Sequence, residues 1–510
     1  MAKGDNRPDD IVPRDNATGG LGARAVRGAM MSGAAQGVKL TVQIASVVVL
    51  SRFLSPRDFG LVAMASPLIA FASMAQNLGL SQAVVVSREL TYRQASTMFW
   101  INAALSFALM LILMLCSPLA AVFYDANELT PIVAALAVAI FTTGLGAQHL
   151  AMATRMMRFG GLALVDMATA VVGLAAAIAW AWFDPSPWAL VASALASALA
   201  SVVGAWMVSG WRPGRPANIR SVWTMLRFGG GLTTFNLTNF FARNLDNILI
   251  GRFHGAGPLG LYDRAYKLLL FPLQQITWPL QRVMVPTLSR LVDEPERYRS
   301  AYSRTVGQIL LLTLPGILCL LIWADVAIPL MLGAQWSGAV EIFRWLALAS
   351  LHQPLTVTLG WLFISQSRTG QFGRWGIFNA ASCAVAFTAG LPWGAEGVAA
   401  AYALSDIFIR LPLVWRLAGS RGPVSARDLI HLALPFVLAG SVAGAAMFAV
   451  GALLPRTLIG LLLAVTLGYL TFGAVLMTRP LGRCTLGETL SLLRGIVSRR
   501  TAQQPVQPSP

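Results

Sequence analysis

Two stretches of the sequence match each other at an offset of 200 residues. They read Ser51-Arg-Phe-Leu-Ser-Pro-Arg-Asp-Phe-Gly-Leu61 and Gly251-Arg-Phe-His-Gly-Ala-Gly-Pro-Leu-Gly-Leu261. A later piece repeats after a short insertion, where Tyr92-Arg-Gln-Ala95 parallels Tyr298-Arg-Ser-Ala301. Because an ordered series of matches arises by chance far less easily than one short match, the sequence predicts an internal duplication.

The composition around these stretches is too apolar for a soluble protein. Of the 510 residues, 56% are hydrophobic and 12% charged, and the mean hydropathy is +0.65. Soluble globular chains are about 45–50% apolar and about 25% charged. These values argue against a soluble enzyme, a disordered chain and a fibrous protein, and they predict a polytopic membrane protein.

A spanning helix needs roughly 20 mostly apolar residues, and the sequence contains fourteen such runs. The predicted spans are 32–54, 58–79, 97–117, 130–153, 159–183, 187–209, 227–250, 260–285, 304–324, 338–365, 370–393, 397–415, 429–451 and 457–478. We therefore predict an all-α fold of fourteen transmembrane helices.

The net charge of +17, from 38 Lys and Arg against 21 Asp and Glu, is explained by topology. Cytoplasmic loops of membrane proteins are enriched in Lys and Arg, and with fourteen spans most of the cations in the connections and tails fall on one side. The other side holds only Arg52, Arg57, Arg252 and Arg456. This distribution predicts that both termini are cytoplasmic, and it requires no nucleic-acid partner.

The two copies of the repeat begin at spans 1 and 7, so both halves have the same orientation in the membrane. Parallel repeats of this kind are typical of alternating-access transporters. We predict a disordered cytoplasmic tail at 1–28, an N-lobe of spans 1–6 at 29–211, a C-lobe of spans 7–12 at 212–420, spans 13 and 14 at 421–480, and a cytoplasmic tail at 481–510.

Residue types that carry catalysis or hold metals are scattered along the chain. Cys116, Cys319, Cys383 and Cys484 are far apart, which favours buried apolar side chains. The four histidines show no ligand spacing, and the sequence has no phosphate-binding loop or dinucleotide fingerprint. We therefore expect a transporter rather than an enzyme, with no cofactor and no metal site.

Several motifs resemble those of one group of transporters. They are Leu50-Ser-Arg-Phe-Leu-Ser-Pro-Arg-Asp-Phe-Gly60, Asn244-Leu-Asp-Asn-Ile-Leu-Ile-Gly-Arg252 and Gly260-Leu-Tyr-Asp-Arg-Ala-Tyr266. They are similar to motifs of the polysaccharide flippases in the multidrug/oligosaccharidyl-lipid/polysaccharide (MOP) exporter superfamily. Within it, the chain looks most like the Wzx-type branch, which handles O-antigen and exopolysaccharide precursors. The resemblance covers about 30–480.

This resemblance implies two six-helix lobes around a central cavity, plus two extra C-terminal helices. The implied substrate is an undecaprenyl-pyrophosphate-linked oligosaccharide, moved from the cytoplasmic to the periplasmic leaflet of the bacterial inner membrane for surface polysaccharide synthesis. Membrane lipids are then partners as well. The polysaccharide polymerase and the chain-length and export machinery are candidate protein partners.

Several ionisable residues lie inside the predicted spans, where each costs at least about 2.5–3.5 kcal/mol to insert. Residues three or four apart on a helix share a face, and this spacing predicts four ion pairs. They are Arg243 with Asp246, Asp263 with Lys267, Glu341 with Arg344, and Asp406 with Arg410. Such pairs either are structural or contact the substrate, and the sequence leaves both open.

Lys39 and Arg264 have no opposite charge at helical spacing, so they are our first candidates for contacts with the pyrophosphate. Arg243 and Lys267 are further candidates, because a diphosphate that crosses the membrane needs cations at different depths. The alternatives are that Lys39 extends to the inner headgroups and that Arg264 is an interfacial anchor.

Three carboxylates and two arginines complete the predicted site. Intramembrane carboxylates commonly relay H⁺ or other ions, so Asp166, Asp246 and Asp263 are candidates for ion coupling. Arg52 and Arg252 occupy matching places at the outer ends of spans 1 and 7, and they are candidates for an outer gate. The alternative for this pair is a cap on the negative end of a helix dipole.

Three other functions fit part of the pattern. A flippase for lipid II, the peptidoglycan precursor, shares the pyrophosphate headgroup, so the charges do not separate it. A MATE-like small-molecule exporter would need an acidic or aromatic cavity, whereas the in-span charges lean positive. A glycosyltransferase or polymerase would carry long extramembrane loops, and the longest predicted loop, about 285–303, is short.

Overall fold

The chain is described here by a computed structural model over residues 21–76, 84, 90–216, 222, 244–480, 482–489 and 491. The elements of this part of the chain are all helices, as the sequence predicts. They divide into two compact units, Met1–Gly260 and Leu261–Pro510. The predicted lobe boundaries at 211 and 420 stay predictions.

The described part of the N-terminal unit consists mainly of helices. They are α1 (Leu21–Phe53), α2 (Pro56–Gln76), α3 (Tyr92–Tyr124), α4 (Leu129–Arg155), α5 (Phe159–Phe183), α6 (Trp188–Ser209) and α7 (244–254). Local chemistry sets the ends of α3. Thr91 and Gln94 form a capping box at its start, and Asp125 ends it with a left-handed φ of 53°.

Buried amides hold three helices of this unit together. Gln76 of α2 donates to Ser106 Oγ of α3 and to the carbonyl of Ile140 in α4, both at 2.9 Å. Asn102 donates to the carbonyl of Gly144 at 2.9 Å. A Cβ at Gly144 would lie only 2.0 Å from Ser106 Oγ, so this close approach requires glycine.

Helix α8 (Ala256–Arg290) leads into the C-terminal unit. The helices that follow are α9 (Pro295–Ile322), α10 (Ala324–Leu332), α11 (Ala339–Ser350), α12 (Gln353–Ser365), α13 (Thr369–Gly390), α14 (Gly394–Ser405), α15 (Leu411–Ala418), α16 (Ala426–Leu453), α17 (Leu458–Met477) and α18 (482–489). A π-helical turn, Asp406–Arg410, joins α14 to α15. The core of the unit includes buried Tyr302, Trp361, Phe436 and Phe472.

Nine helical stretches in the described part of the chain are long and apolar enough to cross a membrane. The pair α11 and α12, bent by 44°, makes a tenth when it is taken as one span. Predicted span 7 lies mostly outside the described residues. Helices α1 and α8 carry charges and are not among the nine stretches. The single stretch Thr369–Ala418 contains both predicted spans 11 and 12. Fourteen spans therefore stays a prediction.

The two predicted tails are partly helical. Helix α1 begins at Leu21, and residues 482–489 form α18, because both segments contain residues of high helix propensity such as Leu, Ala and Arg or Glu. The rest of the tails lies outside the described residues. The expectation that all four cysteines are buried is confirmed for Cys319 and Cys383. It is wrong for Cys116, which is half-buried, and for Cys484, which is exposed on α18 beyond the last apolar stretch.

Candidate functional site

Helix α8 carries charges inside a run that the sequence places in the membrane. The ammonium of Lys267 lies 2.8 Å from Asp263 Oδ2, which confirms the predicted pair. Asp263 is buried with 6% of its side chain exposed, whereas 56% of the Lys267 side chain is exposed. Arg264 is half-buried beside this pair, and the rings of Tyr262 and Tyr266 stack on the same helix. The segment thus carries two cations and one carboxylate.

The predicted charges of the N-terminal unit lie on separate helices. Lys39 on α1 is half-buried, and Asp166 on α5 is exposed; neither forms an ion pair with another described residue. Asp246 on α7 is buried, and its Oδ1 accepts the backbone N–H of Asn247 at 2.8 Å. Arg243 lies outside the described residues, so its pairing with Asp246 stays a prediction.

The two arginines predicted at the outer ends of spans 1 and 7 are both exposed. Arg52 lies in the last turn of α1, where a cation meets the negative end of the helix dipole. The guanidinium of Arg252 lies 5.8 Å from the ring of Phe123 and 5.9 Å from that of Phe253. These contacts fit a cation–π role, and the predicted gate stays a prediction.

The predicted pair of Glu341 and Arg344 is present and belongs to a larger network. Arg344 also lies 3.5 Å from Asp325, and Asp325 binds Arg456 at 2.6 Å. The network connects the start of α10, the start of α11 and the loop between α16 and α17. The network attaches α16 and α17 to the helices before them, and whether the pair also contacts the substrate stays a prediction.

The predicted pair of Asp406 and Arg410 is present and deeply buried. Asp406 Oδ1 lies 3.2 Å from Arg410 Nε, and the two side chains are 12% and 3% exposed. Arg410 also donates to the carbonyl of Tyr402 at 2.8 Å, lies 4.3 Å from the centre of its ring, and contacts the thiol of Cys383. This guanidinium is thus enclosed on several sides.

A histidine side chain lies against the same carboxylate, and sequence reasoning missed it. Nε2 of His352 lies 3.1 Å from Asp406 Oδ2, although the two residues are 54 positions apart. A backbone feature marks the place, since the N–H of Leu411 bonds to the carbonyl of Asp406 in a π-helical turn. Pro412 is the next residue, and because proline has no backbone N–H it cannot donate the usual α-helical hydrogen bond. The signal available in the sequence was an acidic residue, Asp406, six residues before a proline inside a predicted span. A proline can accompany an irregular helical turn, and π-helical turns often occur at functional sites.

The structure thus brings together Asp263, Arg264 and Lys267 on one segment, and Asp406, Arg410 and His352 in a second cluster. Lys39, Asp166 and Asp246 lie in the N-terminal unit. The roles predicted for these side chains stay predictions.

Solved structures show the class of fold. The lipid II flippase MurJ in its inward closed conformation matches 88% of this chain and 98% of its own, with a TM-score of 0.69 and 13% identity. An inward-facing multidrug resistance MATE family transporter of the MOP superfamily matches 79% and 95%, with a TM-score of 0.54 and 14% identity. These matches show that the chain has the fold of these transporters, and its long apolar helices indicate a multi-pass membrane protein.

The family follows from the sequence comparisons. A family model described as polysaccharide biosynthesis protein matches residues 49–341, more than half of the chain, and the chain belongs to this family. The lipopolysaccharide biosynthesis protein WzxC of Escherichia coli K12 is 23% identical over 365 residues, which cover 70% of this chain and 73% of WzxC. The succinoglycan biosynthesis transport protein ExoT of Rhizobium meliloti is 25% identical over 308 residues, which cover 60% of this chain and 62% of ExoT. The predicted polysaccharide branch is confirmed.

Proposed function

We propose that the protein is a flippase that moves undecaprenyl-pyrophosphate-linked oligosaccharide units across the bacterial inner membrane for surface polysaccharide synthesis. The observation that carries the proposal is family membership over residues 49–341. The names of WzxC and ExoT, a lipopolysaccharide biosynthesis protein and a succinoglycan transport protein, support the substrate class. The proposal assigns transport and no catalytic step to the chain.

The arrangement we propose has fourteen spans, both termini in the cytoplasm, and two six-helix lobes of the same orientation that work by alternating access. Helix packing within each unit supports the duplication. In the N-terminal unit α6 packs against α4 and α5, and in the C-terminal unit α14 packs against α11 and α13. In the N-terminal unit, predicted span 6 therefore packs against spans 4 and 5. In the C-terminal unit, predicted span 12 packs against spans 10 and 11, so the same pairing recurs six spans later.

The pyrophosphate would bind to cations at membrane depth, namely Lys39, Arg264 and Lys267, with Arg243 as a fourth. Charge-assisted bonds to phosphate are among the stronger hydrogen bonds in proteins. Lys267 keeps more than half of its side chain exposed while it pairs with Asp263, and Lys39 has no ion pair with a described residue. Both ammonium groups therefore have bonding capacity for an anion, while the polyprenyl tail stays in lipid.

Deletion of the gene tests the proposal. We expect lipid-linked repeat units to accumulate in the cytoplasmic leaflet and surface polysaccharide to be lost, and a plasmid copy to restore both. Unchanged surface polysaccharide and unchanged lipid intermediates would contradict the proposal. Accumulation of lipid II instead would favour the peptidoglycan alternative, and a loss of dye efflux alone would favour the MATE-like exporter.

Variants test the cationic site. Lys39→Met and Arg264→Gln each remove a positive charge and keep much of the side-chain length. Each should lower polysaccharide export about tenfold or more, because a hydrogen bond to a charged group contributes about 1.5–3 kcal/mol. The matched control is Arg297→Gln, since Arg297 is 72% exposed beside Glu294 at the start of α9. Full export by both site variants, at equal protein levels, would remove these residues from the site.

A further inference from the structure

A cavity of about 320 Å³ lies where three helices of the N-terminal unit begin, namely α2, α4 and α6. Its polar and aromatic groups come from Arg57, Asp58, Glu128, Ser186 and Trp188, and the rest of its lining is apolar. All the described residues that line it belong to the N-terminal unit. The volume is at the lower end of the range of small-molecule sites, about 300–1,000 Å³, so the cavity suits a small ligand or one part of a larger one.

An ion pair joins two of the helix starts at this cavity. One guanidinium nitrogen of Arg57, Nη2, donates to both carboxylate oxygens of Glu128 at 3.1 Å. The two residues are 71 positions apart, and their side chains are 67% and 54% exposed. Because exposed ion pairs contribute little to stability, the fold has little need of this pair, and both charged groups stay accessible to a ligand.

Several groups at the cavity keep hydrogen-bonding capacity. Nε and Nη1 of Arg57 and the indole N–H of Trp188 donate to no residue in the described part of the chain. Asp58 Oδ2 accepts from the backbone N–H and the hydroxyl of Ser55 at 2.8 and 2.6 Å, whereas Asp58 Oδ1 accepts from no described residue. The hydroxyl of Ser186 donates to a neighbouring carboxylate at 2.8 Å and can still accept a bond. The cavity therefore offers both donors and acceptors.

This mixture of donors and acceptors indicates the chemical class of the ligand. A phosphate needs donors, and a hard metal ion needs oxygen acceptors, whereas each hydroxyl of a sugar both donates and accepts. The indole of Trp188 adds a flat apolar surface with a polar edge, against which the C–H face of a sugar ring can pack. One guanidinium and two carboxylates line the cavity, and the positive ends of three helix dipoles offset the excess of negative charge. The site thus favours a neutral, polyhydroxylated ligand over an ion.

The second copy of the sequence repeat lacks two of these charges. At the offset of 200 residues, Arg57 and Asp58 correspond to Gly257 and Pro258, which lie in the first turn of α8. A helix therefore begins at the matching place of the second copy without either charge, so the repeated turn does not require them. This difference favours a role for Arg57 and Asp58 that is specific to the N-terminal unit.

We propose that this cavity binds a sugar residue of the oligosaccharide on the outer side of the membrane. The guanidinium of Arg57 and the free oxygen of Asp58 hold sugar hydroxyls, and the ring packs against Trp188. The identity of the ligand and the side of the membrane rest on the proposed function, in which the repeat unit emerges at this face after it has crossed. A sugar held here keeps the unit from returning to the cytoplasmic side before the next enzyme takes it.

Protection of an engineered cysteine from a maleimide measures binding at this cavity alone. The full-length protein in lipid nanodiscs carries Cys484→Ser, which removes the exposed native thiol, and Pro131→Cys, which places a thiol at an exposed position of the lining. The probe is the mixture of oligosaccharides released by partial acid hydrolysis of the surface polysaccharide of the strain that carries the gene. We expect the rate of labelling to fall to about a tenth as the oligosaccharide concentration rises, because only the unoccupied cavity reacts.

Matched variants identify the groups that bind the sugar. Asn127→Cys is the control for the thiol, since Asn127 is exposed in the same connection but lies outside the lining, and its labelling should not respond to the oligosaccharides. Added to Pro131→Cys, the changes Trp188→Leu and Arg57→Gln should each weaken the protection about tenfold. Trp182→Leu should leave it unchanged, because Trp182 is 69% exposed at the end of α5 and shares only the general preference of tryptophan for the membrane boundary.

The outcomes separate this inference from the proposed function. Absence of protection at position 131, or protection that Trp188→Leu leaves unchanged while the protein stays folded by thermal unfolding, would overturn the sugar site. Normal surface polysaccharide in the deletion strain would instead contradict the proposed transport, and protection of the purified protein would then still establish sugar binding at this cavity.

Discussion

Arg158 of the N-terminal unit and Arg368 of the C-terminal unit make the same contact in their two units. Arg158 donates to the carbonyl of Val208 at 2.6 Å, and Arg368 donates to that of Leu417 at 2.6 Å. Each acceptor lies in the last turn of a helix, α6 in one unit and α15 in the other. These helices correspond to predicted spans 6 and 12, so the two arginines stand in equivalent places.

The backbone around the two arginines is also the same. Each follows a residue with a left-handed φ, 54° at Met157 and 57° at Ser367. The N–H of each arginine bonds to the carbonyl five residues earlier, at 2.9 Å for Arg158 and 2.8 Å for Arg368. Non-glycine residues with positive φ are uncommon. Two of them in matching turns support the duplication that the sequence predicts, at a place where the sequence itself shows little similarity.

The two arginines should differ in their effect on stability. Arg368 donates further bonds to the carbonyls of Ala418 and Arg421, whereas Arg158 donates to the carbonyls of Val208 and Ser209. We expect Arg368→Gln to lower the free energy of unfolding by about 1–3 kcal/mol, and Arg158→Gln by less.

Thermal unfolding of the purified protein in detergent measures this difference, with Arg297→Gln as the control for loss of a surface cation. Arg368→Lys should recover only part of the loss, because an ammonium lacks the planar fork of donors. Equal unfolding temperatures for Arg368→Gln and the parent protein would show that the turn does not depend on these bonds.

Local spacing predicted much of this molecule. The bounds of α5, Phe159–Phe183, coincide with a predicted span, because a continuous apolar run between polar ends defines a helix by itself. The pair of Asp263 and Lys267 was predictable because helical geometry places residues four apart on one face. Such features depend on neighbours in the sequence.

Features that depend on tertiary contacts were not predictable in the same way. His352 meets Asp406 across 54 positions, and no periodicity connects a residue at the break between α11 and α12 with one in a π-helical turn. The acceptors of Arg158 lie 50 and 51 positions away, and the arginine reads as an ordinary cytoplasmic cation. Sequence reasoning predicts which charges lie in spans, and tertiary packing determines which of them are in contact.

Gly144 should be among the least replaceable glycines of the N-terminal unit. A Cβ there would lie 2.0 Å from Ser106 Oγ and 2.6 Å from Gln76 Nε2, so Gly144→Ala must displace buried side chains and break the bond between them. We expect a loss of about 2–4 kcal/mol from overpacking and the lost bond. Gly37→Ala is the matched control, since nothing lies within 4 Å of its Cβ position. Thermal unfolding and yield after solubilisation check both; a stable Gly144→Ala would mean that α3 and α4 separate more easily than their packing indicates.

Cys484 provides a native probe of topology. Its thiol donates to Glu488 Oε1 at 3.4 Å on α18, and this bond raises the pKa of the thiol. Less thiolate is then present at neutral pH, so labelling by maleimide should accelerate as the pH rises, and Glu488→Gln should accelerate it at pH 7. With a cytoplasmic C-terminus, a membrane-impermeant maleimide should label Cys484 only after the cells are permeabilised. Buried Cys319 and Cys383 should stay unlabelled in both cases, and labelling of Cys484 in intact cells would contradict the proposed orientation.

The pair of Asp263 and Lys267 can be assigned to a structural or a substrate-binding role by neutralising it in steps. Asp263→Asn and Lys267→Met each remove one partner, and Lys267→Met should be the more destabilising, because it leaves a buried carboxylate without its cation. The double variant removes both charges and should recover most of the stability. If Lys267 contacts the pyrophosphate, export by the double variant stays low although the protein is stable, since the cation is still missing. Thermal unfolding and export, measured on all three variants, separate the two roles, and restored export in the double variant would assign the pair to folding alone.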